Sequence, residues 1–197
     1  MNDHASRSTR QMVESLPEVI LERLRKVTFL LLDVDGIQTD GRLPFDAEGR
    51  ECKTFHVHDG AGMAYWRRTG HGVGFISGRD SLPVRRRAEE LGIAEVHLGR
   101  KRKIEVLEDL CQRLGLDESE VCYMGDDLLD LPVLRRVGVP ITVPQARDEV
   151  QEVCIYVTQT PAGQGAVREV VEILLQAQGR WQEILDATGL PPTGGKR

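Results

Sequence analysis

The chain has 197 residues, 29% of them charged, and a formal net charge of −5, which is the size and polarity of one ordinary globular domain able to bury a core. The acidic balance gives no support to broad nucleic-acid binding, and the longest apolar runs, such as Phe29–Leu32, fall far short of the ~20 residues that span a bilayer. The opening Met1-Asn2-Asp3-His4 has no apolar signal core, and Cys52, Cys111, Cys122 and Cys154 lack CxxC spacing, so they read as plain thiols of a reducing, cytoplasmic compartment.

In chain order, residues 1–15 are polar and read as a flexible segment. Pro17–Lys26 carries Val19, Ile20, Leu21 and Leu24 at helical spacing, with Pro17 suited to a first turn. Thr28–Leu32 is the first of five short apolar runs that read as buried strands; the others are Val73–Ile76, Glu95–Leu98, Val121–Met124 and Val139–Val143. Between the first two, residues 41–58 read as a β-hairpin flap, with strands Arg42–Phe45 and Arg50–His58 around Asp46-Ala47-Glu48-Gly49. Helices are predicted at Gly62–Arg68, Leu82–Leu91, Ile104–Leu114 (stopped by Gly115), Leu128–Val137 and Ala166 to about Leu185. Alternating strands and helices predict an α/β fold with a mainly parallel sheet between helices, one domain over 16–188, and a flexible tail at 189–197.

The first strand ends in Asp33-Val34-Asp35-Gly36. Ligands of open α/β sheets bind beyond the carboxyl ends of strands, so these carboxylates stand where chemistry is expected. Alone, the pattern fits a capping turn as well; a calcium loop would need further oxygen ligands at regular spacing, and Ile37 and Gln38 follow instead. The fourth run ends in Gly125-Asp126-Asp127, with Asp130 a turn further on. Acids gathered from both strand ends would repel unless they took up protons or a hard cation such as magnesium. Ser77-Gly78-Arg79 follows the second strand and offers a hydroxyl and backbone N–H groups at a helix start. Lys103 sits just past the third strand, at a helix end where a cation is disfavoured without an anionic partner.

Taken in order, Asp33-x-Asp35, Ser77, Lys103 and Gly125-Asp126-Asp127 resemble the four motifs of the haloacid dehalogenase superfamily, over nearly the whole chain after residue 27. A closer resemblance is to the KDO-8-phosphate phosphatase family of lipopolysaccharide biosynthesis. It rests on residues 33–41, Phe55-His56-Val57-His58-Asp59-Gly60, residues 125–132, residues 163–169 and the stretch 174–181. Gln38, His58 and Ala162 stand where that family usually has leucine, arginine and glycine. Gln38 and His58 therefore bear on which sugar is read rather than on the reaction.

The resemblance implies a Rossmann-like fold and a magnesium-dependent phosphomonoester hydrolase acting on a sugar-acid phosphate. Asp33 would be the nucleophile, Asp35 the acid and base, and Ser77 and Lys103 the phosphoryl clamps. Asp33, the Asp35 carbonyl and Asp126 would hold Mg2+, with Asp127 ordering water around it. Gly78, Arg79 and His58 would join Ser77 and Lys103 in binding substrate. The intervals between motifs leave no room for a cap domain, and the resemblance implies a homotetramer in which neighbouring chains close each pocket. Leu43, Phe45, Phe55 and Val57 suit that interface, or packing on their own domain. Two alternatives stay open: a nonulosonate 9-phosphate as substrate, and an inactive assembly module. His56 and His58 share i, i+2 spacing but have no third ligand in view, and only three Tyr and two Trp argue against a nucleic-acid platform.

Overall fold

The computed structural model describes residues 8–187. Six parallel strands form one sheet in the order β3-β2-β1-β4-β5-β6. They are β1 Phe29–Leu32, β2 Gly72–Ile76, β3 Glu95–His97, β4 Val121–Met124, β5 Val139–Thr142 and β6 Tyr156–Val157. Every residue of β1, β4 and β5 is buried, because helices cover both faces; hence runs of Leu, Val and Ile rather than alternation. β1 and β4 pair directly, Leu32 opposite Met124. The strand order reverses there, so a crevice is expected beyond their carboxyl ends, where Asp33 and Gly125-Asp126 lie.

The helices are α1 Thr9–Ser15, α2 Glu18–Lys26, α3 Val57–Arg68, α4 Leu82–Glu90, α5 Lys103–Leu114, α6 Leu131–Leu134, α7 Asp148–Gln151, α8 Ala166–Ala177 and α9 Trp181–Ala187. α8 is the hub of one layer: it buries Val167, Val170, Val171, Ile173, Leu174 and Leu175, and α1, α2 and α3 all pack on it. Each such aliphatic side chain is worth about 1.5–3 kcal/mol when fully buried. Gly62 permits the close approach of α3, since a Cβ there would meet the Arg168 Cα at 3.1 Å. On α5, Val106, Leu107 and Leu110 form the buried stripe, and Gly115, at φ 66°, ends the helix in the left-handed conformation.

Several expectations need correction. Thr9–Ser15, placed in the flexible segment, is a helix with a Ser8/Gln11 capping box, and it buries Met12 and Val13. Two apolar residues gave too narrow a stripe to read, and the box was the available signal. The hairpin exists as a tight turn, with Asp46 N–H donating to the Arg50 carbonyl at 3.0 Å and Phe45 bridged to Glu51. Its second strand does not run on to His58. Phe55 and Val57 alternate like strand residues, yet Phe55 packs on the core while Val57 opens α3 at 71% exposure. The helix starts there because Asp59, in its first turn, is buried and accepts from the Arg168 N–H at 2.8 Å, capping α8 from outside.

The segment expected as a helix over 128–137 is a 3-10 turn at Leu128–Asp130 followed by the short α6. Pro132 lacks the N–H that would have joined them. Likewise the last helix is two, broken at Gly179, whose φ is 69°. The expected tail at 189–197 and residues 1–7 of the expected N-terminal segment lie outside the described residues.

Candidate active site

The site is assembled from four loop ends and the flap. β1–β4 pairing continues as Asp33 N–H donating to the Met124 carbonyl at 2.9 Å, which sets Asp33 beside Gly125-Asp126. Gly36 turns the chain at φ 91°, and a Cβ on it would fall 2.1 Å from Asp126 Oδ2. Only a residue without a side chain leaves room for that carboxylate.

Asp33 is buried, and its Oδ1 lies 2.8 Å from Lys103 Nζ. The same ammonium is 2.6 Å from Asp130 Oδ1 and 3.4 Å from Tyr123 Oη, while the Tyr123 hydroxyl donates to Asp130 Oδ1 at 2.5 Å. Asp130 Oδ2 accepts from the N–H groups of Asp126 and Asp127 at 3.0 and 3.1 Å. Asp130 thus spends both oxygens as a brace, and the adjacent glycine makes space for it: a Cβ on Gly125 would meet the Asp130 carboxyl carbon at 2.5 Å. Lys103 satisfies its place at a helix start with two carboxylates, as the sequence demanded.

Carboxylate oxygens of Asp33, Asp126 and Asp130 lie within 4.8 Å of one another. Burial, reinforced by the charge of Asp130 and opposed by Lys103, pushes Asp33 up to about 8. Burial first, then the charge of Asp130, pushes Asp126 up to about 7. Asp126 Oδ1 is buried without a hydrogen-bond partner, and such an orphaned acceptor is costly unless something positive meets it. With Asp130 committed elsewhere, Asp33 and Asp126 are the carboxylates left to face a cation, and an all-oxygen donor set suits a hard ion.

Ser77 is buried at the end of β2; its N–H donates to the His97 carbonyl, and its Oγ accepts from the Arg79 N–H at 3.1 Å. The hydroxyl hydrogen remains free to donate. Arg79 reaches back over the site, 2.7 Å from Glu51 and 3.7 Å from Asp35 Oδ2. Asp127 is turned into a cap: its Oδ1 accepts from the Leu128 N–H at 2.8 Å, and its side chain faces outward. Gln38, expected to bear on which sugar is read, is buried, with its amide donating to the Asp33 carbonyl at 3.3 Å. His58 is not brought to the carboxylates. It lines a separate groove with Thr9, Gln164, Arg168 and Glu172, and its ring meets that of His56 at 5.0 Å.

Sequence reasoning missed three members of the site, Tyr123, Glu51 and Lys53, and left Asp130 as one of the converging acids without its bracing role. Tyr123 reads as one more apolar strand residue. Glu51 and Lys53 sit on the flap, far from any strand end, yet both enter the site: Lys53 Nζ bonds Asp35 Oδ1 and Glu51 accepts from Ser81 Oγ at 2.5 Å. Alternating charge around Cys52 was their only trace.

Residues 89–170 match the family model described as haloacid dehalogenase-like hydrolase. The 3-deoxy-D-manno-octulosonate 8-phosphate phosphatase KdsC of Haemophilus influenzae is 38% identical over 159 residues, covering 81% of this chain and 88% of that protein. Its Escherichia coli K12 counterpart is 36% identical over 164 residues, 83% of this chain and 87% of that protein. Among solved structures, the Moraxella catarrhalis 3-deoxy-D-manno-octulosonate 8-phosphate phosphatase, in complex with magnesium, phosphate and KDO, superposes with a TM-score of 0.84 at 37% identity. The match covers 87% of this chain and 98% of that one.

Proposed function

Since this chain belongs to the 3-deoxy-D-manno-octulosonate 8-phosphate phosphatase family of haloacid dehalogenase-like hydrolases, we propose that it hydrolyses KDO 8-phosphate to KDO and phosphate at the Asp33–Asp126 crevice. The observation that carries this reading is the juxtaposition of Asp33, Lys103 and the orphaned, buried Asp126 at the ends of β1 and β4.

Asp33 attacks phosphorus with the oxygen not held by Lys103, forming an aspartyl phosphate as the P–O bond to the sugar breaks. Asp35, two residues on along the same loop, gives a proton to the departing sugar oxygen. It then takes one from the water that attacks the aspartyl phosphate, so one carboxyl serves both half-reactions. Lys103 fixes the Asp33 rotamer and balances its charge, and Ser77 donates to a phosphoryl oxygen. Asp33, Asp126 and the backbone carbonyl of Asp35 would hold Mg2+. When bound, the ion offsets the charge of the buried carboxylates and of the phosphate. Asp127, as cap of the turn, keeps Asp126 in place.

The chain works as a homotetramer. Leu43, Phe45 and Val57 on and beside the flap, with Leu82 at the start of α4 and Leu128 and Leu129 after β4, are large apolar residues left exposed. Copies of the chain covering them would also shut water out of the site. Arg79 is the candidate for reading the sugar acid from within the crevice, whereas His58, in the separate groove beside α8, is set apart from it. Its thiols are unpaired, which suits the cytoplasm. The reading is tested by phosphate release from a panel of sugar-acid phosphates, KDO 8-phosphate and a nonulosonate 9-phosphate included, with magnesium and with chelator. Fastest magnesium-dependent release from KDO 8-phosphate is the expected result; a preference for the nonulosonate ester would reassign the substrate.

A further inference from the structure

Lys53 lies between the Phe45–Glu51 bridge and α3, and its side chain is 0% exposed, an unusual fate for a lysine. Its ammonium bonds Asp35 Oδ1 and stands 3.3 Å from Glu51 Oε1. Glu51 in turn is held by Arg79 Nη2 at 2.7 Å and Ser81 Oγ at 2.5 Å. The flap is therefore pinned to the loop after β2 through polar contacts, while its apolar Leu43 and Phe45 face outward. The other oxygen of Asp35 is treated differently. Arg79 Nη1 stands 3.7 Å from Oδ2, beyond hydrogen-bond reach, and is itself buried without a hydrogen-bond partner.

We propose that Lys53 is a positioning residue for proton transfer: by holding Asp35 Oδ1 it presents Oδ2, the oxygen without a bonded donor, to the leaving oxygen of the substrate. The proposal rests on the phosphatase reading and adds to it the residue that aims its acid. In the first half-reaction the Asp33–phosphorus bond forms, the phosphorus–sugar oxygen bond breaks, and the proton on Oδ2 passes to that oxygen. In the second, water attacks phosphorus, the aspartyl bond breaks, and the water's proton returns to Oδ2. Glu51 supplies the counter-charge that keeps Lys53 on Oδ1 rather than on the incoming phosphate.

The test is the leaving-group dependence of kcat for wild type and Lys53→Met, both with magnesium, from nitrophenyl phosphate through less acidic phenols to an alkyl phosphate. A good leaving group departs without a proton, whereas an alkoxide does not. The variant should lose at least about tenfold more on the alkyl ester than on the nitrophenyl ester, a part of the 10²–10⁴ that a placed general acid supplies. Lys53→Arg, which keeps a cation in reach, should recover most of the difference. Equal loss across the series would leave Lys53 a mere pin of the flap and overturn the proposal, as would no loss at all. If Lys53→Met fails to fold by thermal melt, Glu51→Gln replaces it, with a weaker change of slope in the same sense required. A wild type that hydrolyses no ester would strike the phosphatase reading itself; an active wild type with a parallel variant strikes only the role of Lys53.

Discussion

Gly36 and Asp126 interlock: the space a Cβ would fill on the glycine is the space the aspartate's Oδ2 occupies, 2.1 Å away. The loop after β1 and the loop after β4 thus define one cavity wall between them. Gly36→Ala should be worse than an ordinary loop substitution, because the backbone is at φ 91° and the clash falls on Asp126, a carboxylate proposed to hold magnesium. A displacement of about 1 Å at such a group costs on the order of 10²-fold in rate. The expected outcome is a drop of that size in kcat with a higher magnesium requirement, read by titrating activity against magnesium.

Burial sets the pH dependence of the metal-free protein. Asp33 and Asp126 are raised to about 8 and about 7 from an ordinary 3.8, so between pH 4 and 8 the folded state holds more protons than the unfolded chain. Stability must then fall as pH rises through that window and level off above it. Lys103, also raised, adds nothing there, since its ammonium is protonated in both states. Thermal melts in chelator should drop from pH 5 to pH 8, and magnesium should flatten the slope by taking the place of the protons. A melting temperature that climbs across the window in chelator would contradict this.

Lys103 is held between two buried carboxylates, with side-chain exposures of 3% for the lysine, 9% for Asp33 and 1% for Asp130. Removing it by Lys103→Met leaves both acids without their counter-ion, at a cost of about 3–5 kcal/mol. Urea unfolding at pH 8 should show that loss, and lowering the pH should shrink it as Asp33 takes up a proton. Phosphatase activity should vanish at any pH.

Assembly is testable at the flap. Phe45 is 59% exposed, so Phe45→Ser should leave the melt of the chain nearly unchanged while shifting light-scattering mass below a tetramer. Activity should fall with the mass. A tetramer that survives the substitution, or a fully active monomer, would remove the flap from the interface.

The four motifs were legible because each sits at the end of a strand whose apolar run marks it, and parallel pairing then brings Asp33 and Asp126 together without further instruction. Five of the six strands were found to within a residue at each end, since burial writes an apolar word; β6, only two half-buried residues at Tyr156–Val157, was missed. What escaped depended on contacts between distant segments. α3 begins at Val57 because Asp59 caps α8, a partner more than a hundred residues away in sequence. Lys53 reads as one charged residue among many until the flap folds over and seals it against Asp35. Tyr123 looks like filler until its hydroxyl is seen bonding Asp130. The break between α8 and α9 was written in Gly179, but a glycine in a periodic segment is compatible with a continuous helix too.

The most direct measurement is to look for the phosphoryl group on Asp33. Asp35→Asn, given nitrophenyl phosphate and magnesium, needs no acid for the first half-reaction but lacks the base for the second. Acid quenching and peptide mass spectrometry should find one phosphoryl group on Asp33, labile to hydroxylamine, and appearing in step with a burst of nitrophenol. Nitrophenol release without that adduct, or a phosphoryl group on any other side chain, would contradict the account.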